Sequence, residues 1–426
     1  MVASVIFAYV AVAFMILGVP IAVCLGFGSA IGAMATGIDW KVPPVMMFDA
    51  IDSYILIAIP FFILAGNIMA RGGMAKRIFD FSNAIVGWMR GGLGAVNVVG
   101  SMLFGGMSGS ATADAGGLGI IEIQEMVRYK YPLKYSAGIT LVTSCLSSVI
   151  PPSIIMVVYG IAAGVSVAKM LVAGILPGIL FGGSLLVTNY FVALKHGWTP
   201  SEPFRVRNVL KQSKEAILAL FTPLIIMGGI VSGVVTPTEA ACVAVVYAFI
   251  ISIFVYKEMK ISDIPQIIVD SARMTGVIMF IIAAASLASQ VLTADMVPHH
   301  VAKWVIAATQ NQYWGLLLII GFLTLVGMVM EGIAALIVLT PVLLPIALQW
   351  GVDPIHFGVI MVACMAMAVF TPPVGVCIYI ICNITKLSLE EVSKSIVPFV
   401  PGLIGSLIAI VLFPQISLFL VNLLWG

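Results

Sequence analysis

The chain has 426 residues, of which 62% are hydrophobic and only 9% charged, with a mean hydropathy of +1.18. Soluble globular domains carry about 25% charged residues, so a soluble globule is excluded and a membrane protein is indicated. Its 20 basic and 18 acidic side chains leave a net charge of +2, too little for a nucleic-acid-binding face or an acidic tail.

At ~20 apolar residues per crossing plus loops, the length accommodates roughly ten crossings in one compact unit. Charged and turn residues punctuate it into spans near 2–18, 20–36, 54–70, 135–160 and 167–194, then 215–235, 236–256, 274–293, 356–381 and 396–424. No lysine or arginine precedes Lys41. The first apolar run therefore lacks the basic start of a cleavable signal peptide and is expected to stay in the mature protein. Segments 41–53 and 261–273 mix charges with apolar residues at helical spacing, the pattern of helices lying along the membrane interface. The stretch 195–214, with Lys195, Arg205, Arg207, Lys211 and Lys214, reads as a cytoplasmic linker between halves 1–194 and 215–426.

Two stretches, 91–127 and 315–350, are each too long for one crossing. The first is rich in glycine, serine and alanine, with Arg71, Lys76, Arg77 and Arg90 before it and Arg128, Lys130 and Lys134 after it. The positive-inside rule puts both flanks in the cytoplasm, so the stretch is expected to enter the bilayer and return as a re-entrant hairpin. The second is apolar but interrupted by Glu331, Pro341 and Pro345, and no lysine or arginine lies between Lys303 and Lys386. Its flanks read as external. Each hairpin precedes a span with tandem prolines: IPPSI (Ile150 to Ile154) within 135–160 and TPPVG (Thr371 to Gly375) within 356–381. Weaker matches pair VPIAV (Val19 to Val23) with TPTEA (Thr236 to Ala240), and Pro177-Gly178 with Pro401-Gly402. Five crossings per half is an odd number, so the second copy is expected upside down, the inverted repeat of secondary transporters. That count places both termini outside.

Proline removes an N–H donor and displaces the carbonyl four residues earlier. Pro151-Pro152 is expected to free the carbonyls of Ser147 and Ser148, and Pro372-Pro373 those of Ala368 and Val369. An unpaired carbonyl in hydrocarbon costs several kcal/mol, so each break needs protein, water or a cation as partner. One such pair alone reads as a kink. Two pairs at matching positions, each with its hairpin, read as ion sites. In GGMSGSATADAGG (Gly105 to Gly117) the hydroxyls of Ser108, Ser110 and Thr112 suit ligation, and the same small residues suit tight helix packing. The sequence leaves both open. Asp114 is a candidate to orient the first hairpin, Glu331-Gly332 marks the turn of the second, and Glu239 after Pro237 reads as a helix cap.

Hard cations need several oxygen ligands, which a hairpin tip facing an unwound helix supplies from carbonyls and hydroxyls. Residues 304–385 hold no cationic side chain. An anionic substrate would therefore rest on half-helix N-termini, hydroxyls and bound cations, which argues for cation-coupled anion uptake. The substrate-binding candidates are Ser110, Thr112, Asp114, Gly332 and Ala334. Cys24, Cys145, Cys242, Cys364, Cys377 and Cys382 read as small core residues. His196, His299, His300 and His356 sit at loop edges, so no histidine-ligated centre is expected. Gly106 to Gly109 matches the GxSG pattern of rhomboid-type intramembrane proteases, but no mid-span histidine is present to activate Ser108, and an enzyme is not expected. ATP-driven transport is disfavoured because the chain has no GxxxxGK[ST] loop.

Together SGSATADAGG (Ser108 to Gly117), TPTEAA (Thr236 to Ala241), MEGIAALIVLTPVLLPI (Met330 to Ile346), IPPSI and TPPVG resemble the large membrane subunit of tripartite ATP-independent periplasmic (TRAP) transporters. The resemblance runs the length of the chain, and the plan is also similar to the divalent-anion/sodium symporters. It implies an all-α, multi-pass protein of the bacterial inner membrane and a sodium-driven elevator, in which the hairpins and broken helices slide against a scaffold of outer spans. It further implies two or more transported Na+ ions, a small four-helix membrane subunit encoded separately, and a periplasmic protein delivering a small organic acid such as sialic acid or a C4-dicarboxylate. Carried over by residue, one sodium site would use Ser108, Ser110, Ser147, Ile150 and Pro152, and the other Gly327, Ala368, Thr371 and Val374. The run Ala115-Gly116-Gly117 departs from the family's usual pattern and makes the second arm of the first hairpin glycine-rich.

Overall fold

The computed structural model describes residues 2–35, 37–198, 203–309 and 311–426, and all regular structure among them is helical. Among them, seven helices are long and apolar enough to cross a bilayer, or nine if each of two bent pairs counts as one span. The chain is thus an all-α polytopic membrane protein. Its first two elements, Val2–Ile16 and Ile21–Ala35, are only 15 residues each, about 22 Å at 1.5 Å per residue. The chain reverses at Gly18, where φ is +76°. A Cβ on Gly32 would lie 2.6 Å from the Ala3 carbonyl oxygen, so glycine is what lets these two backbones approach.

Val42–Ile51 is a separate short helix opened by prolines in its first turn. The second expected interfacial segment, 261–273, is not separate. It is the start of one continuous helix, Ile264–Ala294. No proline or glycine interrupts the junction, and its charged end is held by an ion pair between Asp270 and Arg71 at 2.6 Å. Other boundaries shift for similar local reasons. The helix Val206–Val231 begins inside the basic linker. The last expected span splits into Val400–Leu412 and Gln415–Trp425, around Pro414. Helices Met74–Val86 and Val297–Ala308 occupy stretches where no span was expected. Pro341 and Pro345, read as interruptions, sit inside the unbroken helix Gly332–Gln349.

Two helical hairpins do form. In the first, Gly92–Ser108 turns at Gly109, whose φ is +61°, into a second arm over residues 111–128. That arm leaves α geometry for one π-helical turn at Asp114–Leu118. In the second, Gln312–Val329 turns through Met330 and Glu331 into Gly332–Gln349. Both proline-bearing helices are broken. Residues 133–149 meet Ile154–Ala162 at a bend of 43°, and Pro354–Ala368 is separated from Val376–Thr385 by a non-helical stretch. Pro151–Pro152 and Pro372–Pro373 are both cis peptides.

Candidate functional site

Each hairpin is keyed to its broken helix through a glycine. A Cβ on Gly105 would stand 2.7 Å from Ser147 Cα, and one on Gly327 would stand 2.6 Å from Ala368 Cβ. Backbone bonds lock the tips: Ile154 donates its N–H to the Gly109 carbonyl at 3.3 Å, and Val374 to the Met328 carbonyl at 3.2 Å. The same device therefore appears twice, with a residue one or two positions past each proline pair bonded to a hairpin tip.

The carbonyls beside the breaks are largely re-satisfied. Ser153 Oγ donates to Ser148 O at 2.5 Å. Thr371 N–H donates to Ala368 O at 3.1 Å, and Cys377 N–H to Val369 O at 3.0 Å. Of the four carbonyls expected to be freed, only that of Ser147 accepts no hydrogen bond among the described residues. The expectation of free carbonyls is thus corrected for the other three, because donors on either side of the proline pairs, at Ser153, Thr371 and Cys377, turn back onto them.

Between the tips, the breaks and the long helix Ile264–Ala294 lies a cavity of about 250 Å³. Four helix N-termini open onto it, at Ala111, Ile154, Gly332 and Val376. Its polar side chains are Ser110, Thr112, Ser148 and Glu331, and no lysine or arginine lines it. Opposite them, Ile264–Ala294 presents an apolar wall of Met274, Val277, Ile278 and Ile281. Aligned N–H groups at helix starts favour an anion without a cationic side chain.

The structure distributes the expected site residues unevenly. Ser110, Thr112, Gly332, Gly327, Ala368 and Val374 line the cavity. The hydroxyls of Ser110 and Thr112 lie 3.0 Å apart, and Ser110 Oγ also accepts from the N–H of Ala113. Ala334 is buried off the cavity, with its N–H capped by Glu331 at 3.1 Å. Ser108 is fully buried and its hydroxyl has no partner. Asp114 also sits behind the cavity, where its Oδ2 accepts from Ser147 Oγ at 2.8 Å. This bond ties the first hairpin to the first broken helix, the orienting role expected of Asp114. Ile150 is extended at the break, and the Pro152 carbonyl faces Gly109. Thr371 spends its hydroxyl on the Met367 carbonyl at 2.6 Å. Glu239 forms a capping box with Thr236, as read from the sequence.

The family described as tripartite ATP-independent periplasmic transporter, DctM component, matches residues 8–416. A C4-dicarboxylate TRAP transporter large permease protein, DctM, of Pseudomonas aeruginosa is 40% identical, covering 89% of this chain and 88% of that one. The chain belongs to the DctM family. The sialic acid TRAP transporter large permease protein SiaM of Vibrio cholerae is 35% identical over 92% of this chain and 91% of its own. An isethionate TRAP transporter permease protein, DctMQ, of Oleidesulfovibrio alaskensis is also 35% identical, over 97% of this chain and 66% of its own. Among solved structures, the YdaH transporter of Alcanivorax borkumensis superimposes with a TM-score of 0.57 at 12% identity, covering 85% of this chain and 86% of that one. That likeness concerns the fold alone.

This DctM component is therefore a transporter subunit and not an enzyme. The protease pattern at Ser108 has no partner in His356, which is buried with its Nδ1 3.2 Å from Ser417 Oγ. His356 does lie near a loop edge, three residues after the cap Asp353, and is buried there. Sequence reasoning missed the apolar wall of Ile264–Ala294. It also missed the bond between Asp114 and Ser147, whose signal was the rarity of an aspartate among small residues.

Proposed function

We propose that this chain is the permease of a sodium-driven importer that takes a small organic acid through the bacterial inner membrane. The observation that supports it is the cavity itself, where four helix N-termini meet and no basic side chain neutralises an anion. Named relatives for C4-dicarboxylate, sialic acid and isethionate transport point to the same substrate class, a small organic anion. Two or more Na+ ions would be bound near Ser108, Ser110, Ser147, Ile150 and Pro152 in one half, and near Gly327, Ala368, Thr371 and Val374 in the other. Substrate would sit against Ser110, Thr112 and Gly332, with Asp114 and Ala334 supporting from behind.

In this reading the two halves, 1–194 and 215–426, are inverted copies with both termini periplasmic. The hairpins and broken helices move as an elevator against the remaining helices. A small four-helix membrane subunit and a periplasmic binding protein complete the transporter. The inward gradient and the membrane potential drive uptake, the latter by about 2.3 kcal/mol per charge per 100 mV. Uptake of radiolabelled acid into proteoliposomes containing the purified subunits and binding protein tests it. Sodium-dependent uptake that needs the binding protein is expected. Uptake sustained by protons without sodium rejects the coupling ion, and uptake without the binding protein favours a stand-alone divalent-anion/sodium symporter.

A further inference from the structure

Away from the cavity, between the two arms of the first hairpin, lies a second polar cluster. Glu122 on the second arm is 1% exposed, and neither of its carboxylate oxygens has a hydrogen-bond partner among the described residues. Its Oε1 points at the first arm, 3.1 Å from where a Cβ on Gly100 would stand, and Ser82 Oγ lies 3.8 Å from the same point. Ser82 is fully buried with its hydroxyl unpartnered among the described residues, and Ser101, nearly as buried, lies beside Asp114. The second carboxylate within electrostatic reach is Asp114, whose Oδ1 is unpartnered. Glu122 Oε1 and Ser82 Oγ, both orphaned among the described residues, thus converge on Gly100 of the first arm.

Among the described residues no basic side chain pairs with Glu122 or Asp114. On the same arm Arg128 pairs with Glu125 at 3.4 Å, and on the following helix Lys134 pairs with Glu391 at 3.1 Å. From Met74–Val86, Arg77 pairs with Glu258 at 2.8 Å, and Lys76 acts on Asp80. The first arm, Gly92–Ser108, carries no ionisable side chain. An unpaired carboxylate in such a place is costly, and a second like charge beside it raises the cost. One proton removes both penalties by making Glu122 neutral. Buried acids within membrane bundles serve as proton sites for this reason.

We propose that Glu122 is a proton-binding site of the first hairpin, held as a neutral carboxylic acid between its two arms. Binding forms one O–H bond, with the proton drawn from water, and breaks no other bond. Loss of the proton would set a carboxylate of Glu122 against Asp114 on the same arm and leave it bare against Gly100 of the first arm. This lies beyond the sodium reading and is tested without transport. Infrared difference spectra of the purified full chain, wild type minus Glu122→Gln, read the carbonyl stretch of a protonated carboxyl group at neutral pH. That band is expected in the wild type and lost in the variant. No such band, or one that survives Glu122→Gln, overturns the proposal. Should Glu122→Gln fail to fold, ¹³C-glutamate labelling of the wild type is expected to shift the band; an unshifted band overturns the assignment.

Discussion

Gly109 leaves no room for a side chain. Its φ is +61°, and a Cβ there would fall on the carbonyl oxygen of Pro152. The left-handed conformation alone costs an L-residue roughly 1–2 kcal/mol, and the backbone clash adds to it. Gly109→Ala is expected to lower the thermal unfolding midpoint of the purified protein and to abolish uptake. Gly116→Ala, whose Cβ would meet only an Ile380 methyl at 3.8 Å, is expected to leave the midpoint unchanged. Ser147→Ala removes a hydroxyl that donates to Asp114 at 2.8 Å. The expected destabilisation is about 1–3 kcal/mol, the cost of orphaning a buried acceptor; denaturant unfolding in detergent measures it. The run from Gly105 to Gly117 was legible as either packing or ligation, and the structure divides it. Gly105 and Gly109 serve packing, while Ser110 and Thr112 face the cavity. The partnership of Asp114 with Ser147 could not be read from sequence, because it depends on how a π-helical turn aims one side chain across two elements.

Helix starts were more legible than helix junctions, for a physical reason. A cap is a local event: Thr236 with Glu239, and Glu331 with the N–H groups of Ile333 and Ala334, are written within three residues. Whether a proline breaks a helix depends on what re-satisfies the freed carbonyl. Pro341, which frees the carbonyl of Ile337, sits inside a helix that nevertheless runs on. Pro414 follows Phe413 in extended backbone, and there the helix ends. The cap at Glu331 carries its own prediction. Glu331→Ala removes the acceptor for two N–H groups at the mouth of the cavity and is expected to cost about 1 kcal/mol. Glu331→Gln keeps an amide oxygen in place. A thermal midpoint ordered wild type, then Gln, then Ala is the expected result, and equal midpoints for Gln and Ala would show that the cap does not hold the turn.

Across the whole molecule, polar ties and apolar contacts fall in different places. Asn67 donates to Ser271 at 2.8 Å, Arg71 pairs with Asp270 at 2.6 Å, and Arg77 lies 3.7 Å over the Tyr256 ring. These ties join the two halves of the chain through helices outside the hairpins. Where Ile264–Ala294 faces the cavity, by contrast, it presents Met274, Val277, Ile278 and Ile281 to Ile155, Ile333 and Val376. Apolar contacts carry no directional bonds, so one surface can slide past the other without leaving a donor unpaired, whereas a hydrogen-bonded seam would resist. The pairing of hairpins with broken helices was readable from two proline motifs, but this seam was not, because its wall comes from a helix with no motif at all. An elevator along the seam makes a paired prediction in a background lacking the six native cysteines. A disulfide between Asn67→Cys and Ser271→Cys, both on the fixed side, is expected to leave uptake intact. A bifunctional thiol reagent joining Ile278→Cys to Ile333→Cys bridges the seam and is expected to stop uptake, with recovery when a cleavable linker is reduced. Continued uptake with the seam bridged would place the moving boundary elsewhere in the molecule.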